Sequence, residues 1–171
     1  EQLILPGEAP SLVPDIAIAP NGQRFAIACL TANELQVFDL QTRRRTRRIG
    51  NPQAQLDHPH GLAMTDRYLV VGNKMDPEDR PALLQVFDLD APGEHPVCSV
   101  VTPVPYLREA HSMALHGDRL LVTYAGTGRR ALVCYRFDPD TGQIGALLDS
   151  TEDWFSRFGT QKGVCFNDAG D

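Results

Sequence analysis

The chain has 171 residues, 42% of them apolar and 22% charged, which suits one soluble globular domain with a real core. A net charge of −6 and a pI near 5.3 exclude a general nucleic-acid binder. No apolar run approaches the roughly 18 residues of a membrane span, so neither nucleic acid nor membrane is expected as a partner.

In chain order, the first apolar run is Ile16-Ala17-Ile18. The turn Pro20-Asn21-Gly22 leads to a second run, Phe25 to Ala28. Asn-Gly between apolar runs is a hairpin signal. The phrase Leu35-Gln36-Val37-Phe38-Asp39-Leu40 follows, then a weaker run from Thr46 to Ile49. The same order returns as Leu62-Ala63-Met64, Tyr68 to Gly72, the unchanged phrase Leu84-Gln85-Val86-Phe87-Asp88-Leu89, and Val97 to Thr102. It returns again as Met113-Ala114-Leu115, Leu120 to Tyr124, the looser Leu132-Val133-Cys134-Tyr135-Arg136-Phe137-Asp138, and Ile144 to Leu148. Val164-Cys165-Phe166 opens a fourth round. The Phe-Asp pair recurs at Phe38, Phe87 and Phe137, 49 and then 50 residues apart, which marks a repeat architecture.

Four short antiparallel strands per period predict an all-β protein of the β-propeller type, with three complete four-stranded blades and the start of a fourth. The blade units run approximately 14–56, 57–107 and 108–158, with a truncated 159–171. The runs are apolar at nearly every position, as expected of sheets covered on both faces. Small residues at matching places (Ala17, Ala63, Ala114 and Cys165) fit innermost strands crowded near an axis. One helical turn is expected from Thr151 to Phe158, with Thr151 as its cap, packing as a lid on a blade edge. Closed propellers have about four to eight blades, so the remaining blades are expected from the rest of the chain or from another chain.

Cys29, Cys98, Cys134 and Cys165 show no C-x-x-C spacing and read as free, mostly buried thiols. That favours a reducing compartment and a cytoplasmic location. The arginines at 43, 44, 45, 47 and 48 read as a solvated turn and a charged outer edge strand that discourages sheet pairing.

Residues just before each inner strand converge on the centre of a propeller. Here they are Pro14, His60, His111 and Lys162, with Asp15, Asp57, His58 and Glu109 beside them. Two of five histidines therefore share one structural position in adjacent blades. His60 and His111 are the candidate catalytic residues, able to orient a ligand or act as general base near neutral pH. The alternative is structural: each only bonds a neighbouring loop. His58 is expected to shape a turn with Pro59, and His95 and His116 to lie solvated in turns. No cofactor is predicted, a divalent metal at His60 and His111 being the alternative. The loop after Asn73 is acidic but lacks the glycine of an EF-hand turn. The loop Gly126-Thr127-Gly128-Arg129-Arg130 offers backbone N–H groups and guanidinium groups to an anion. Lys162, Arg129, Arg130 and Asn73 are accordingly candidate substrate-binding residues.

His58-Pro59-His60-Gly61-Leu62 and Ala110-His111-Ser112-Met113 resemble the blade openings of lactonase-type seven-bladed propellers, the group of the YVTN-repeat proteins and bacterial 6-phosphogluconolactonase. Tyr135-Arg136-Phe137-Asp138-Pro139-Asp140-Thr141-Gly142 and Lys162-Gly163-Val164-Cys165-Phe166 are similar to other segments of that group. The resemblance implies a partial seven-bladed ring and a hydrolase acting on a small anionic or sugar-derived lactone. Two alternatives stand beside it. One is a non-catalytic propeller scaffold binding a protein or small ligand. The other is a metal-dependent oxidoreductase using the central histidines.

Overall fold

The computed structural model describes residues 12–50, 52–74, 81–102, 109–125, 130–151 and 163–167. Twelve strands form three sheets of four, each antiparallel and each in simple chain order. The first sheet holds β1 (Ile16–Ile18), β2 (Arg24–Cys29), β3 (Glu34–Asp39) and β4 (Arg45–Gly50). The second holds β5 (Pro59–Met64), β6 (Tyr68–Asn73), β7 (Leu83–Asp88) and β8 (Cys98–Val101). The third holds β9 (Glu109–His116), β10 (Arg119–Ala125), β11 (Arg130–Phe137) and β12 (Ile144–Thr151). Among the described residues no helix is long and apolar enough to cross a membrane.

The sheets stack face to face, and the side-chain period of two explains why nearly every strand position is apolar. From the second sheet, Leu62, Met64, Leu69, Val71 and Phe87 point to a core shared with Ala17, Ala26, Leu35, Val37 and Ile49 of the first. The alternate residues Ala63, Tyr68, Val70, Leu84 and Val86 point to a core shared with Met113, Leu120, Val122, Val133 and Phe137 of the third. In the repeated phrase, then, Leu and Val face the following sheet. Phe87 faces the preceding one, and Phe38 stacks on Phe25 with ring centroids 4.8 Å apart.

The phrase's aspartate builds the turn into the outer strand. Asp39 accepts hydrogen bonds from the N–H and hydroxyl of Thr42 at 2.6 and 2.7 Å. Asp88 accepts from the N–H groups of Asp90 and Ala91, and Asp138 from those of Asp140 and Thr141. The turn after the phrase also reaches back to the preceding sheet. The guanidinium of Arg47 donates to the carbonyls of Asp88 and Gly93, and the Gly50 N–H donates to Glu94. At the next seam, the Tyr68 hydroxyl donates to the Asp140 carbonyl and the Gln143 amide to the Val97 carbonyl. Gly142 has φ +72°, and a side chain there would lie 2.7 Å from the Tyr68 ring.

Three expectations need correction. The Arg run is more than a solvated edge, because Arg47 ties the second sheet's turn and Arg48 pairs with Glu34. His116 lies in β9 rather than in a turn, with its ring 5.6 Å from that of Phe166. Residues 164–166 form no strand; they lie beside the third sheet with no described sheet of their own to join. Of the helical turn expected at Thr151 to Phe158, Thr151 closes β12 and the rest lies outside the described residues.

Candidate functional site at the start of the inner strands

β1, β5 and β9 lie side by side as the innermost strands of their sheets. Both β5 and β9 carry a bulge near their first residues. In β5 the ladder steps from Pro59↔Asn73 to Leu62↔Val71, so His60 and Gly61 oppose one residue, Gly72. In β9 it steps from Ala110↔Tyr124 to Ser112↔Thr123, which leaves His111 as the extra residue. A bulge re-aims the side chain it carries. The shared position read from sequence is thus a shared bulge, and it brings the two imidazoles together with centroids 4.5 Å apart at 74°.

Two glycines permit the approach. A side chain on Gly61 would come within 2.7 Å of the His111 carbonyl oxygen, and one on Gly72 within 2.5 Å of Cβ of Ala110. Nδ1 of His60 lies 3.0 Å from that same His111 carbonyl oxygen. A carbonyl only accepts, so Nδ1 carries the proton and neutral His60 leaves Nε2 bare. Among the described residues Nε2 has no hydrogen-bond partner. Burial pushes the His60 pKa down, a direction that the bond to His111 and the nearby Asp15 oppose.

The surrounding charges are paired. Glu109 takes Nε2 of His111 at 2.9 Å on one oxygen and the Lys74 ammonium at 3.1 Å on the other. Asp15 accepts the N–H of Leu62 at 2.8 Å, bridging the first and second sheets, and its own neighbour Ile16 at 2.9 Å. Burial raises the Asp15 pKa against the pull of those bonds. His58 has φ +52° and holds a turn as expected, its N–H on Asn33 and its ring on Asp57.

The other candidates stand apart. Asn73 is fully buried and joins interior groups: it accepts the Asp57 N–H and donates to Leu83 and Gln85. Arg130 contributes its backbone to β11, paired with Ala125. Lys162 and Arg129 lie outside the described residues, as does the acidic loop beyond Lys74. Among the described residues no group of three His, Cys, Asp or Glu could hold a metal ion. Lys74 was not singled out in the sequence; the only hint is its place directly after the second strand, at the same end of the sheet as His60.

No protein-family profile and no curated protein matches the sequence. Solved structures do. Hsv2 from Kluyvelomyces marxianus superposes with a TM-score of 0.57 at 12% identity over 82% of this chain. A KlHsv2 form with loop 6CD replaced by a Gly-Ser linker gives 0.55 at 15% over 83%. The Dos1 propeller gives 0.52 at 18% over 83%. The fold is a β-propeller. This propeller chain spans 49%, 46% and 34% of the lengths of those three structures. At such identities the likeness concerns the fold.

Proposed function

We propose that this propeller is a binding module that presents the inner-strand site to a protein partner or a small ligand. The observation that carries this reading is the pairing within the cluster. Lys74, the ammonium that could stabilise a developing oxyanion, is already held by Glu109, and so is His111. Among the described residues two ring nitrogens stay without a hydrogen-bond partner, Nε2 of His60 and Nδ1 of His111, both suited to recognition. The second reading, a hydrolase of a small lactone, draws support from the first of these. An unprotonated Nε2 fixed by a carbonyl can activate water, and the His-Pro-His segment resembles lactonase-type propellers.

The test uses the full polypeptide that contains this segment. Partner binding and turnover on a panel of lactones are measured for the natural protein and for His60→Ala. The binding reading expects no turnover above the uncatalysed rate and binding weakened about tenfold, roughly 1.4 kcal/mol. Turnover that disappears in His60→Ala transfers the site to the hydrolase reading. Stoichiometric metal in the same sample, lost with His60→Ala, would instead favour the metal-dependent reading.

A further inference from the structure

We infer that the group docking at this site is a hydrogen-bond donor seated on Nε2 of His60, rather than an anion. The inference rests on the binding reading above and names its ligand chemistry. The alternative tautomer would aim the lone pair of Nδ1 at a carbonyl oxygen 3.0 Å away, acceptor against acceptor. An anion on Nε2 would therefore need the imidazolium, with both nitrogens protonated. The surroundings weigh against that form. His60 is half-buried, with the Lys74 ammonium and the His111 ring nearby, while Asp15 pulls the other way.

The charged and titratable groups around the site come from every neighbouring element. They are Asp15 before β1, Lys74 after β6, and Glu109 with His111 in β9, while Asp57 and His58 before β5 pair with each other. The three carboxylates are engaged, Asp15 by the Leu62 N–H, Asp57 by the His58 ring and Glu109 by His111 and Lys74, and the ammonium is paired with Glu109. The geometry of the neutral ring is what decides: its Nε2 lone pair accepts from an O–H or N–H donor. Such a donor can come from an amine or guanidinium on a partner's side chain, or from a hydroxyl of a small molecule.

Histidine nitrogen NMR on the full polypeptide separates these points, with the His60 signals assigned by their loss in His60→Gln. At neutral pH without ligand, Nδ1 is expected protonated and Nε2 not. A protonated Nε2 there overturns the donor inference and leaves the binding reading standing. Methylammonium and propanol are then titrated against acetate. The expected result is movement of the Nε2 signal with one or both donors and none with acetate. A stronger response to methylammonium indicates a side-chain amine, and one to propanol a hydroxyl. Movement with acetate alone, or with none of the three, overturns the inference. If His60→Gln also leaves binding of the natural partner unchanged, the binding reading falls with it.

Discussion

Gly61 sets how closely the second and third sheets meet at their inner ends. The atoms a methyl group would strike there are backbone, the His111 carbonyl oxygen at 2.7 Å and carbon at 2.9 Å, so no side-chain rotation relieves the clash. Gly61→Ala is expected to destabilise the protein by about 1–3 kcal/mol, read from the urea midpoint. It should also pull the carbonyl away from Nδ1 of His60. A midpoint unchanged from the natural protein would mean that the two strands separate freely. The imidazole carries a second expectation. Its folded pKa lies below the ordinary 6.5, so its contribution to stability is complete above 6.5 and is lost as pH falls through the folded value. Asp15 has the opposite sign: its folded pKa lies above 3.8, and the preference of the fold for its protonated form fades as pH rises through that value. Urea midpoints across the range below 6.5 should fall with acidification, and less steeply in His60→Gln. Equal slopes would show that the imidazole is as solvated in the fold as out of it. The pairing of His60 with His111 was legible in sequence as a shared position before each inner strand. The bulges and the two glycines that join them were not, because a bulge is a mismatch between two strands and no single strand displays it.

Each element of the repeated phrase has one job. Leu and Val face forward, Phe faces back, and Asp closes the turn; the phrase was readable as a third strand, while these facings and the turn came only with the fold. The seams were not readable, because their parts differ from one to the next. At the first seam Arg47 crosses to the carbonyls of Asp88 and Gly93. Read alone, a run of arginines looks like solvent-facing charge, and only the folded turn supplies the acceptors. Arg47→Ala should cost about 1–3 kcal/mol through two lost charge-assisted bonds, measured by denaturant unfolding. Arg47→Lys should recover only part of this, since an ammonium lacks the planar fork that meets two carbonyls. Full recovery by lysine would show that charge alone matters at this seam. A neighbouring pair predicts acid behaviour. The Arg67 guanidinium holds the Asp88 carboxyl below its ordinary range, so that support is present above 3.8 and lost as pH falls through the lowered value.

At the scale of the molecule, the inner three strands of the second sheet are covered on both faces. Leu69 and Leu84 are both fully buried, one in the core shared with the first sheet and the other in the core shared with the third. Leu69→Ala and Leu84→Ala should each cost about 2–5 kcal/mol. Because they lie on opposite faces of one sheet, their effects should add within about 0.5 kcal/mol. A double-mutant cycle in urea checks this, and a large coupling would mean that the two cores relax as one. The outer faces behave differently. Ile16 and Ile18 of β1 stay 55% and 57% exposed on the side away from the second sheet. The fold class, the strand order and the double-faced burial all followed from the period of the repeat, whereas the polar network at the inner ends followed from contacts between periods. That division has a consequence for assembly. Two strands that share Leu-Gln-Val-Phe-Asp, β3 and β7, could trade places and let the chain fold out of step by one whole repeat. The residues that never repeat (Arg47 with Gly93, Tyr68 with Gly142, Gly61 with His111) act as keys that fit one lock each. They give every sheet an address, and a misplaced one would find its neighbour's door shut.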